Sequence, residues 1–161
     1  MALLVGHRMW RKMEMTPASF CAAGLYRDHQ HSFMEDEMPF DTASAASYAD
    51  SHAGPASTNN CASYVRRAIE WGGVSIARTS YAKDYGSNLE SAGFVQVTGE
   101  PKKGDVVVIQ PAPGHPDGHM AIFDGSLWIS DFRQTHAGPD GFYPGPDYRK
   151  AKPSYTVYRY N

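Results

Sequence analysis

The spacing of apolar positions changes once along the chain, from helical to alternating. In CASYVRRAIEW, Cys61, Val65, Ala68 and Ile69 recur at helical spacing, Arg66, Arg67 and Glu70 take the other face, and Gly72-Gly73 follow as a terminator. This predicts an amphipathic helix whose first turn holds Cys61, capped by Thr58, Asn59 or Asn60. Ahead of it, DTASAASYADSH predicts a helix over 41–52 with an Asp or Thr cap and Pro55 beyond its end, and the breaker-rich GPASTNN joins the two. Tyr81, Tyr85 and Leu89 recur every four residues and predict a further helix over 80–92, closed by Gly93. From there the period is that of strands, over 94–97, 105–110, 119–124, 127–132 and 155–160, with Gly125-Ser126 turning a tight hairpin after Asp124. Helices first and neighbouring strands afterwards predict an α+β domain with an antiparallel sheet over 41–161. Residues 1–40 carry neither period and form a poorly defined N-terminal segment.

Composition narrows this picture only by exclusion. At 161 residues, 42% hydrophobic and 20% charged, the chain has the makings of one core and is neither a disordered tail, a coiled coil nor a disulfide-dense mini-protein. A net charge of -2 without a basic run argues against nucleic acid as a partner. No apolar run is long enough to span a bilayer, which argues against a membrane partner, and the start lacks the apolar core of a signal peptide, so the expectation is a chain made in the cytoplasm. Cys21 and Cys61 then read as two thiols. Nothing in the sequence sets an oligomeric state.

Three residues stand out chemically. Unpaired N–H groups and partial positive charge at a helix start stabilise a thiolate, so Cys61 is a candidate nucleophile whose own N–H can hold an oxyanion; the competing reading is a small buried hydrophobe. His119 opens the apolar strand HMAIF after a Gly-rich loop and is the candidate base, with alternation aiming it, Ala121 and Phe123 from the sheet toward a packed helix. If the hairpin is centred on Gly125, Asp131 lies opposite His119 and is the candidate orienting residue, unless it is a solvent-facing strand residue. His115, Asp117, His119 and His136 can also be read as metal ligands, but their spacing is that of a loop entering a strand and no second cysteine lies near Cys61.

Taken in order, NNCASYVRRAIEWGG, KKGDVVVIQ, GHMAIFDG and WISDF resemble the NlpC/P60 and CHAP cell-wall peptidases over about residues 41–160. Tyr85-Gly86, Leu89, Ala92-Gly93-Phe94 and the WISDF strand bring the likeness closest to the type VI secretion amidase effectors, notably the second amidase family. The resemblance implies a papain-like fold with the nucleophile helix packed on an antiparallel sheet, and a peptidoglycan amidase that needs no cofactor or metal. Carried over residue by residue, it makes Cys61 the nucleophile, His119 the general base and acid, and Asp131 the orienting residue. It implies a wall-peptide substrate, export to the periplasm of a target cell, and an immunity protein as inhibitor. Two alternatives remain open: a phage or housekeeping wall hydrolase of the same fold, and an inactive module that binds wall peptide or a protein.

Overall fold

The structure is a computed structural model and describes residues 39–136 and 138–161. Cys21 and nearly all of the N-terminal segment lie outside the described residues. Phe40 lies within them: it is buried, meets the rings of Phe94 and Tyr160 at 5.4 and 5.6 Å, and so belongs to the core rather than to the segment ahead of it.

Helix α1 spans Thr42–His52 and starts where Asp41 accepts from the N–H groups of Ala43 and Ser44 at 3.0 and 2.9 Å, satisfying two of the orphan donors of a helix start. Helix α2 spans Cys61–Trp71 and ends at Gly72. The helix expected over 80–92 divides into a 3-10 turn, Ala82–Asp84, and α3, Gly86–Ser91. Gly86 stands at the break, and the Tyr158 hydroxyl fills the place a side chain there would take.

Strands β1 (Phe94–Val97), β2 (Val106–Ile109), β3 (His119–Phe123), β4 (Trp128–Ile129), β5 (Arg133–Gln134) and β6 (Tyr155–Tyr160) form one sheet in the order β1-β6-β2-β3-β4-β5, with every neighbouring pair antiparallel. The domain is therefore α+β with an antiparallel sheet, as the periods predict. The Gly-Asp that opens β2 serves as a lock: Asp105 is fully buried and takes two bonds from Arg159 on β6, at 2.7 and 2.6 Å, and one from the Lys102 N–H at 2.7 Å. A buried carboxylate is tolerable only when its lone pairs are answered in this way.

Two apolar clusters flank the sheet. One packs Val65 and Ile69 of α2 on Met120, Ile122 and Ile129; the other gathers Val107, Ile109, Ala121 and Trp128 under Phe142, Tyr143 and Tyr148. Tyr148 belongs to α4, Pro146–Ala151, a helix with Pro in its first turn. Met120 and Ile122, not His119 and Ala121, thus face α2. Because β3 is buried on both faces, alternation separates the two sets without telling which one α2 covers.

The strand expected over 127–132 is broken. Asp124 accepts from the N–H groups of Ser126 and Leu127 at 2.6 and 2.7 Å and sets a two-residue tip, so that Phe123 pairs with Trp128 and Ile122 with Ile129. This register is one residue away from a hairpin centred on Gly125, and one residue moves a side chain to the other face. After Ile129 the chain turns: the Ser130 N–H bonds the Phe132 carbonyl at 3.0 Å, the Asp131 carbonyl accepts from Gly54 N–H at 2.8 Å, and β5 begins beyond. No helix among the described residues is long and apolar enough to cross a membrane.

Candidate active site

The site forms where the start of α2 meets the start of β3. Cys61 and His119 line one cleft of about 350 Å³, to which the loop 114–118 and Pro144 to Tyr148 also contribute, His115 lying against Asp147 and Tyr148. The ladder of β3 with β4 covers only Ile122 and Phe123, and the Met120 N–H of β3 comes close enough to the Cys61 thiol to act on its pKa. Gly118 sets the approach to that strand at φ +72, with the Ile109 carbonyl and Lys83 where a Cβ would lie, so the residue before His119 must be glycine.

His119 is 5% exposed, with its ring between Phe132 and Tyr148 at 6.4 and 6.0 Å. Its Nε2 lies 2.8 Å from the side-chain amide of Gln134. The surrounding bonds orient that amide: its nitrogen donates to the carbonyls of Phe142 and Gly141 at 2.8 and 3.2 Å, and its oxygen accepts from His119 Nε2–H at 2.8 Å. A neutral imidazole with its proton on Nε2 keeps Nδ1 bare, and Nδ1 is then the nitrogen that can take a proton.

Among the described residues Asp131 makes no hydrogen bond to His119. It is 1% exposed, but its carboxylate turns to the loop before α2, accepting from the Thr58 N–H at 2.5 Å, Thr58 Oγ1 at 3.0 Å, and the Asn60 N–H and Ser57 Oγ at 3.3 Å. The bend at Ser130 carries it out of the register that would have set it against His119. The side-chain cap expected of Thr58, Asn59 or Asn60 is not made: the Asn60 side chain donates to Thr58, and Asp131 braces the loop ahead of α2 without capping it. Burial works against the charge on Asp131, but the N–H groups of Thr58 and Asn60 and the Thr58 hydroxyl hold its carboxyl below the usual range.

The electrostatics also depart from a preformed thiolate. Burial pushes the Cys61 thiol up to about 11; the Met120 N–H draws it down, the Asp131 charge adds to the rise, and the N–H groups of Ala62 and Cys61 draw it down again without restoring it. Burial pushes the His119 imidazole down to about 4, against the pull of Asp131 and helped by His115. At neutral pH the free site therefore holds a thiol beside a neutral imidazole, and the helix start alone does not ionise the sulfur.

Of the residues weighed as metal ligands, His115 and Asp117 line this cleft with His119, whereas His136 lines a separate one with Trp128 and Tyr155. Among the described residues no group of three or more His, Cys, Asp or Glu side chains is placed to hold a metal ion. Gln134 escaped the sequence reading because a Gln on a two-residue edge strand looks like any solvated residue; its role depends on the turn at Ser130, which has no local signature.

No protein-family model matches the sequence, and a search of the curated proteins found no match. Among solved structures, the chain is similar to the Tae3 effector in the native type VI effector–immunity complex Tae3–Tai3 from Ralstonia pickettii, at 62% identity and a TM-score of 0.72, covering 76% of this chain and 100% of that one. The selenomethionine form of that complex matches at 64% identity and a TM-score of 0.69, over 72% and 99% of the two chains. The likeness to type VI amidase effectors thus holds at the level of the delivery class, while the relatives found are Tae3 rather than the second amidase family. With identity this high over the whole of the solved effector, the chain belongs to the Tae3 family of type VI effectors.

Proposed function

We propose that this protein is an antibacterial peptidoglycan amidase of papain-like, NlpC/P60-related design, which acts in the periplasm of a target cell and cleaves an amide bond of wall stem peptides or their cross-links. The observation that carries the reading is the seating of Cys61 and His119 in one cleft, with the Gln134 amide on His119 Nε2, in a chain of the Tae3 family.

In this reading Cys61 Sγ attacks the scissile carbonyl carbon as its proton passes to His119 Nδ1, and the C=O electron pair moves onto oxygen. When that pair returns, the C–N bond breaks and His119 gives the proton to the departing amine, leaving a thioester on Cys61. Water then adds to the thioester carbon and gives a proton to His119. Collapse releases the carboxylic acid, and the proton returns to sulfur. Gln134 keeps the imidazole in the one tautomer that can do this. Proton transfer inside the attack suits a site whose resting groups are both neutral.

The relatives were crystallised as effector–immunity complexes, which supports an immunity protein that occupies the cleft over Cys61 and His119. Incubating purified sacculi with the protein and analysing released muropeptides for new amine and carboxyl ends tests the reaction. Release by the wild type and none by Cys61→Ala is expected, and no release at any dose overturns the reading. For the partner, saturating immunity protein is expected to shield Cys61 from alkylation; unchanged labelling would place it elsewhere.

A further inference from the structure

The cleft holds one hydroxyl that the mechanism above does not use. Tyr148, the third residue of α4, is 3% exposed and lines the cleft with Cys61, its ring 6.0 Å from that of His119 and 5.0 Å from that of His115. Every enclosed side-chain nitrogen or oxygen among the described residues has a hydrogen-bond partner. Tyr148 Oη has none among them, so it is not enclosed: a buried ring delivers a hydroxyl that opens into the cleft with its proton uncommitted. The other polar groups of the cleft are engaged or cannot donate. Ser57 Oγ donates to Asp131 at 3.3 Å, His115 Nε2 lies 3.6 Å from Asp147, and Asp117 and Asp147 are carboxylates. Asn59 is exposed at the rim.

We infer that the Tyr148 hydroxyl is a catalytic donor, the partner of the Cys61 backbone N–H in holding the oxyanion formed when sulfur attacks the amide carbonyl. The inference rests on the amidase reading. A tetrahedral oxyanion needs donors already aimed where charge develops, and one N–H at a helix start is a single donor. A phenol supplies another only if it stays protonated. Burial, reinforced by Cys61 and Asp117, pushes the Tyr148 phenol well above its ordinary range, so it keeps its proton at any working pH. The hydroxyl comes from α4 and the N–H from α2, so the two donors belong to different elements that line one cleft.

Tyr148→Phe removes one oxygen and leaves the ring that packs on His119. Its kcat on muropeptides is expected to fall by about 10²–10³-fold, the usual cost of one oxyanion donor, with KM little changed. Alkylation of Cys61 by chloroacetamide, a displacement at saturated carbon that builds no such oxyanion, is expected to proceed at the wild-type rate, and the thermal midpoint to stay put. Full kcat in Tyr148→Phe overturns the inference, as does a loss of kcat matched by an equal loss of alkylation, which would make Tyr148 a packing residue. Full kcat in Tyr148→Phe with a large loss in Asn59→Ala would move the donor to the rim. A wild type that releases no muropeptide overturns the amidase reading itself, and the Tyr148 role with it.

Discussion

The Gln134 side-chain amide lies 2.8 Å from His119 Nε2, while the Asp131 carboxylate takes the N–H groups of Thr58 and Asn60 on one oxygen and Ser130 Oγ on the other. The two residues are three apart in sequence and do different work. Gln134 holds a ring; Asp131 holds the loop that delivers Cys61 into the first turn of α2.

Gln134→Ala is accordingly expected to lower kcat on muropeptides by roughly 10- to 10³-fold with KM close to wild type, and to lower stability as well, because it strands the buried His119 Nε2–H and the Gly141 and Phe142 carbonyls. Gln134→Glu puts a carboxylate on Nε2 and should raise the His119 pKa, visible by NMR as an imidazole titrating above the about 4 set by burial. An unmoved titration would show that the side chain at 134 does not touch the ring.

Asp131→Asn should act through the loop instead. An amide can accept fewer and weaker bonds than a carboxylate, so the 57–60 loop loses part of its support and unfolding is expected to cost about 1–3 kcal/mol less, read from urea denaturation. Activity should fall together with stability. Loss of activity at unchanged stability would return the orienting role to Asp131.

The contrast between these residues marks what the sequence can disclose. Asp41 ahead of a run of good helix formers, Cys61 ahead of an apolar stripe ended by Gly72, and Gly-His ahead of HMAIF are local signals, and each element starts within a residue of where they put it. Asp131 and Gln134 depend on a register one residue off and on a bend at Ser130 that is stabilised by Gly54, far away in the chain. The side of the sheet on which His119 points was equally closed to inspection, since both faces of β3 are covered. The helix start argued for an ionised Cys61, but burial and the Asp131 charge outweigh it, and both are tertiary.

That last point is measurable. With the thiol held at about 11, labelling of Cys61 by iodoacetamide, followed at the Cys61 peptide by mass spectrometry, should be slow at pH 6 and climb about tenfold per pH unit through the neutral and mildly alkaline range. Rapid labelling at pH 6 would show a preformed thiolate. Cys61→Ala should label not at all at this peptide, keep its fold because Ala suits a first turn, and hydrolyse nothing.

The buried imidazole also shapes acid stability. The ordinary His value of 6.5 falls to about 4 in the folded protein, so between those limits the unfolded chain binds a proton that the native site refuses. Stability should therefore be unaffected by this group above about pH 6.5, be lost as pH falls through the window, and level off below about 4. The loss attributable to His119 is on the order of 3 kcal/mol when the whole window is crossed. Asp131, whose carboxyl is held low, adds its own loss only at more acid pH, so the two contributions separate. Urea denaturation of the wild type and of His119→Gln from pH 7 to 4.5 isolates the effect, because glutamine cannot take up the proton. The expected result is a wild-type curve that falls more steeply with acid than the variant's; parallel curves would mean that His119 is not held neutral by burial, and a wild type that falls less steeply would mean an imidazolium stabilised by a charged partner.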